Sequence, residues 1–132
     1  MMFNHWIRRG IRLGIFTLGL VTAVFAQANH HAEQEIAYLK QFIASSPCQY
    51  NRNGDLHTAP EALKHIQKKY DYFKDEIHTA EDFINKSASK STMSGKAYTV
   101  ICPAAEGHGQ QTLTSQQWLL RALADFRAKH GS

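Results

Sequence analysis

The first 28 residues, MMFNHWIRRGIRLGIFTLGLVTAVFAQA, limit what this chain can fold into more than any other stretch. Arg8, Arg9 and Arg12 come first, an apolar run from Leu13 to Phe25 follows, and small residues close the segment. Basic, then apolar, then small is the order of a secretory signal peptide. The apolar run is short for a membrane span, so an uncleaved anchor is the lesser reading. The small-x-small rule is met twice, by cleavage after Ala26 and by cleavage after Ala28. No cysteine lies near either cut, which argues against a lipid anchor. The expected organisation is a signal peptide over 1–28 and one folding domain over 29–132.

Removal of that segment changes the charge balance. The whole chain carries 15 Lys and Arg against 11 Asp and Glu, a formal +4. Three of the Arg and none of the acids fall in the first 28 residues, leaving 12 against 11, or +1. The basic character therefore belongs mainly to targeting. It is not the footprint of a nucleic-acid partner, nor of a membrane partner after cleavage. The remaining chain suffices for one domain with its own core and is too short for two.

Export also bears on the two cysteines. Cys48 and Cys102, 54 positions apart, are the only pair, and in an oxidising compartment they are expected to form one disulfide. The alternative is a pair of free or redox-active thiols. No Cys-x-x-Cys spacing or adjacent His favours it.

Periodicity yields the elements. Ala32, Ile36, Leu39 and Ile43 form one apolar stripe, predicting a helix over about 31–44 that ends before Pro47. Asn53-Gly54 predicts a two-residue hairpin turn with Arg52 opposite Asp55. Thr58 and Glu61 make a capping box, with Pro60 in the first turn. The helix they open carries a core seam of Leu63, Ile66, Tyr70, Phe73 and Ile77. Thr79 opens a third helix with Glu81 and Asp82 in its first turn and Phe83, Ile84 and Ala88 on its apolar side. Tyr98 to Cys102 reads as a strand stopped by Pro103, and 104–113 as a loop. Thr114 with Gln117 makes another capping box. It opens a last helix, with Trp118, Leu119, Ala122, Leu123 and Phe126 facing inward and an end near Lys129. A Cys48–Cys102 bridge would set the late strand beside 49–52. The expected class is α+β: a small antiparallel sheet, hairpin plus one late strand, packed by about four helices and held by one disulfide.

RNG after a cysteine, EALKHIQKKY, TAEDFI, SGKAYTVICP and a closing WLLRALADFR occur in that order over roughly 34–127. Each motif alone is weak, while their order and spacing together are fairly specific. In this the chain resembles the YfeK-like family of small exported bacterial proteins, a domain of unknown function. The resemblance implies one periplasmic or secreted domain with its cysteines paired. It implies no activity and no catalytic residue.

The chemistry of a site must come from the residues. Past the signal there are seven His, none spaced i, i+4, and no Cys/His cluster, so neither a zinc centre nor any other cofactor is expected. Cleavage after Ala28 would expose Asn29-His30-His31, whose amine, amides and imidazole suit Cu(II) or Ni(II). The ordinary reading is a polar terminus. Ser87-Ala88-Ser89-Lys90 matches Ser-x-x-Lys without the other parts an acyl-transfer site needs.

One polar group stands out. Glu61, His65 and Lys69 share a helix face through i, i+4 spacing, in the ordinary reading a solvated surface. The sharper expectation joins Arg52, Asn53, His65, Lys69, Glu81, Ser94 and Lys96 in one shallow pocket for an anionic group. Arg52 would clamp the anion, Lys69 would add charge, and Glu81 would position His65. On this basis the chain is a non-catalytic envelope module that binds a protein or a small anionic ligand. The alternative is a small hydrolase of an envelope polymer, with His65 and Glu81 as its acid–base pair.

Overall fold

A computed structural model describes residues 16–104 and 109–131. Arg8, Arg9, Arg12 and His108 lie outside the described residues. The chain divides into two units, 1–31 and 32–132. In the first, residues 24–31 are helical and exposed. The helix to which they belong, α1 (Phe16–Ala44), starts well before the expected 31. No proline interrupts 16–44.

In the second unit the expected stripe is core, with Ile36, Leu39 and Ile43 buried. The hairpin follows as strands β1 (Gln49–Arg52) and β2 (Asp55–His57), with Arg52 opposite Asp55 and Tyr50 opposite His57. Asn53 and Gly54 take φ of 56° and 92°, the double positive pair that closes a two-residue turn with the right twist. The Asn51 side chain accepts the Gly54 N–H at 2.9 Å.

Helix α2 (Ala59–Phe73) opens on the Thr58–Glu61 capping box, both halves of which form, with Pro60 in its first turn. Its buried line is Ala59, Ala62 and Ile66, with Leu63 and Tyr70 half-buried against the same core. Ile77, the last residue of the expected seam, also packs against this core, although the α-helix stops at Phe73 and a 3-10 turn (Lys74–Glu76) intervenes.

Thr79 does open a helix, α3 (Ala80–Phe83), and Asp82 completes its capping box. One turn later the backbone widens into a π-helical turn, Ile84–Ala88. Phe83, Ile84 and Ala88 are fully buried there.

The sheet has one strand more than expected. β3 (Thr99–Cys102) pairs with β1, and β4 (Gln111–Thr114) pairs with β3 through Val100 opposite Leu113. The order is β2-β1-β3-β4, antiparallel throughout. The reading of 104–113 as loop is corrected from Gln111 on. Leu113 is the only aliphatic residue of an edge strand that is exposed at Gln111 and Thr112, so no alternation marks it. Cys48 and Cys102 are disulfide-bonded, tying the start of β1 to the end of β3.

Helix α4 (Ser115–His130) follows β4 directly, with the Thr114 hydroxyl accepting the Gln117 N–H and Gly131 in the left-handed C-cap position. Trp118, Leu119, Ala122 and Leu123 are buried and Phe126 is half-buried. Trp118 meets the Tyr50 ring edge-on at 5.6 Å, which packs α4 onto the sheet.

Candidate functional site

Tyr98 is the hub of the polar group on the helix-covered side of the sheet. Its backbone is held on both sides, donating to the Ser89 carbonyl and accepting from the Ser115 N–H. Its ring is buried, and its hydroxyl lies 3.2 Å from His65 Nε2. Lys69, one turn after His65 on α2, sits 5.2 Å from the Tyr98 ring centroid and donates to the Lys90 carbonyl at 2.5 Å. Aromatic face and carbonyl oxygen together hold the ammonium without neutralising it.

Arg52 closes the group from the sheet side. Among the described residues neither Arg52 nor Lys69 forms an ion pair. The consequence is electrostatic crowding. Burial, then the positive charges of Arg52 and Lys69, pushes the His65 imidazole down to about 4. Burial, then Arg52 and Lys90, also lowers Lys69. His65 is therefore neutral near pH 7.

The hairpin tip meets the loop before β3. Ser94 Oγ donates to Asn53 Oδ1 at 2.9 Å, and the Lys96 N–H donates back to Ser94 Oγ. Gly95, at φ 72°, supplies the left-handed residue that this turn needs. The Lys96 residue itself is exposed.

Glu81 does not belong to this group. Its carboxylate accepts from Arg127 Nη1 at 2.6 Å, while Arg127 Nε and Nη2 bond Glu35. The bond to Arg127 holds Glu81 below the usual carboxylate range. The charges that act on His65 are Arg52, Lys69, His57 and Lys68, with no carboxylate among them. The expected His65–Glu81 pair is thus replaced by His65–Tyr98 and Glu81–Arg127. A guanidinium fork between two carboxylates outcompetes a neutral imidazole, and a hydrolase built on His65 and Glu81 loses its acid–base pair. Ser87, of the Ser-x-x-Lys match, is fully buried on the π turn. Among the described residues no three His, Cys, Asp or Glu side chains gather as metal ligands.

Behind Tyr98 and His65 lies a narrow cleft, lined also by Arg52, His57, Ala88 and Ser115, with room inside for about one water molecule. His57 and Ser115 were not anticipated. The hairpin register carries the signal for His57: once Arg52 opposes Asp55, Tyr50 must oppose His57, which puts Tyr50, Arg52 and His57 on one face of the sheet. Nothing in the sequence marks Ser115, which reads as the first residue of an ordinary helix.

The state of His65 sets an acid limit on stability. In the unfolded chain it titrates near 6.5 and in the folded chain near 4. Between those values the unfolded chain holds the extra proton, so the His65 contribution is complete above pH 6.5 and is lost as pH falls towards 4. Glu81 and Asp82 are depressed from 4.5 and 3.8, so their contributions fade only below those values. His65→Leu is therefore expected to flatten the decline in melting temperature between pH 6.5 and 4.5. Melting curves across that window for parent and variant measure it, and parallel declines would refute it.

Residues 30–127 match the family described as Family of unknown function (DUF5329). The chain is 36% identical over 85 residues to the uncharacterized protein YfeK of Salmonella typhimurium, an overlap covering 64% of this chain and 71% of that protein. No solved structure matches it.

Proposed function

We propose, from the premise that this chain belongs to the DUF5329 family of unknown function, that it is an exported, non-catalytic binding module for a small anionic group. The anion sits between Arg52, His65 and Lys69. Asn53, Ser94 and Lys96 form the neighbouring polar rim.

The observation that carries this reading is the unneutralised charge. Arg52 and Lys69 lie close enough for each to weigh on its neighbours, and among the described residues neither has a carboxylate partner. Holding like charges together in a partly desolvated place is unfavourable, and an anion removes the cost. The guanidinium and the ammonium offer hydrogen to such a group, and so does one member of the hydrogen-bonded His65–Tyr98 pair, whichever keeps a proton that is not shared between them.

Titration with phosphate, acetate and carboxylated sugars, followed by NMR, tests it. The Arg52, His65 and Ser94 signals should move together, and the bound anion should raise the midpoint at which His65 titrates. Arg52→Ala and Lys69→Ala should each weaken binding by about tenfold or more, the worth of one charged hydrogen bond. Unmoved signals at high anion concentration would sink the proposal.

Export is supported by the basic–apolar–small order of 1–28 and by the disulfide, which persists in oxidising compartments. Among the described residues no helix is long and apolar enough to cross a membrane. Intact-mass measurement on protein from the periplasmic fraction should find the chain starting at Gln27 or Asn29. A mass that retains 1–26 means an anchor instead.

A further inference from the structure

Residues 29–31 read Asn-His-His, and the polar cleft makes no use of them. They lie in the exposed helical stretch 24–31, ahead of Ile36, the first buried residue of α1 among those described. Among the described residues neither His30 nor His31 takes part in an ion pair.

Export frees an end of the chain here. Of the two cuts that the small-x-small rule allows, cleavage after Ala28 makes Asn29 the terminal residue. Its amine is then the first of four nitrogens in a row. The backbone nitrogens of His30 and His31 are the second and third, and Nδ1 of His31 is the fourth. Planar peptide units link the first three, and a ring through the His31 Cβ brings in the fourth, so one ion can meet all four in a plane. The other cut gives no such set. After Ala26 the chain begins Gln27-Ala28-Asn29, with an amide side chain at the third place instead of an imidazole.

Position on the helix removes the usual obstacle. A backbone N–H inside a helix is bonded to a carbonyl one turn back, and a metal must break that bond before it can replace the proton. The first four N–H groups of a helix have no such partner. With 1–28 gone, the amides of His30 and His31 belong to the first turn of what remains of α1. That turn must unwind to lay its nitrogens in a plane, and an exposed helix end opens at almost no cost. The core does not share the change, because 29–31 are exposed. Four nitrogens in a square plane select Cu(II) and, below it in affinity, Ni(II), whereas Zn(II) takes a tetrahedron.

We propose that the processed N-terminus, Asn29-His30-His31, is a Cu(II) site. Binding replaces the protons of two backbone amides, and that of the amine where it is protonated. Those protons pass to solvent and no electron is transferred, so affinity rises with pH. All four in-plane positions come from the chain, and the site therefore holds the ion rather than presenting it to a substrate. The proposal rests on the export reading above and is independent of the anion cleft.

Protein recovered from the periplasmic fraction, its start fixed by intact mass, is titrated with Cu(II) in the presence of glycine, which takes up loosely held ion. One Cu(II) per chain should bind, with the violet absorption and nitrogen hyperfine pattern of a four-nitrogen plane. An equal concentration of Zn(II) should not displace it. His31→Ala should lose this complex. His30→Ala should keep it, because the second residue contributes only its backbone nitrogen. A chain that starts at Gln27, or one that starts at Asn29 and binds no Cu(II), overturns the site and leaves export standing. Loss of the complex in His30→Ala, or displacement by Zn(II), also overturns it, since either means ordinary imidazole ligation. A mass that retains 1–26 overturns export and the site together.

Discussion

Cys102→Ser is expected to lower the melting temperature of the oxidised chain by roughly 15 °C or more. The bridge joins residues 54 positions apart. In the chain-entropy account, closing a loop of that length removes about 4 kcal/mol of freedom from the unfolded state. For a domain of about 100 residues each kcal/mol moves the midpoint by about 4–8 °C. The native contacts point the same way. Cys48 is buried in the main core and Cys102 packs half-buried against it. The bridge joins the start of β1 to the end of β3, the two central strands of the sheet. Calorimetry of parent and variant in non-reducing buffer measures the effect, and Cys48→Ser should match Cys102→Ser because either change opens the same loop. A variant that melts with the parent, or two titratable thiols in the oxidised parent, would refute the expectation.

Phe83→Ala should cost about 3–5 kcal/mol, the range for emptying a fully buried aromatic position. Phe83 is 0% exposed. The Tyr70 ring meets it edge-on at 5.6 Å, and the Lys40 ammonium lies 6.0 Å from its centroid on the way to Tyr70. Its neighbours have little freedom to close the hole. Phe83 ends the short α3, and the π turn that follows it buries Ile84, Ser87 and Ala88 completely. Phe83→Leu, which keeps most of the volume, should cost clearly less. Urea unfolding at pH 7 gives both numbers. Equal costs for the two substitutions would mean that volume is not what matters at this position.

Much of this architecture was legible because its signals are local. Asn53-Gly54 demands positive φ at two consecutive residues, and few other dipeptides accept it, so the turn and its Arg52–Asp55 register follow from composition alone. Thr58 with Glu61 marks a helix start to the residue, because both side chains bond the backbone within one turn. Helix stripes such as Ile36, Leu39 and Ile43 depend only on the 3.6 period. The strand β4 was missed for the complementary reason. An edge strand with one partly buried aliphatic side chain has no period of its own, and only the proximity of β3 makes it a strand.

The candidate site divides along the same line. Arg52, Asn53 and Ser94 come together because a turn, a disulfide and a strand leave them little choice, and each of those was readable. Glu81 goes elsewhere because Arg127, 46 positions further along, lies within reach of it once α4 has packed. The sequence shows both residues and does not show their distance. A charged side chain chooses among partners by geometry in three dimensions, and spacing along one helix says nothing about a competitor on another. The same holds for His65 and Tyr98, 33 positions apart, and for His57 and Ser115, which share a cleft only after β2 and α4 have packed around it. What the sequence determined by itself was therefore whatever is written within one or two turns of chain: caps, hairpin, helix stripes and the presence of one cysteine pair. The tertiary structure alone decided which ionisable and hydroxyl groups face one another, because burial and cross-element distance, not neighbourhood in the chain, set the energy of those contacts.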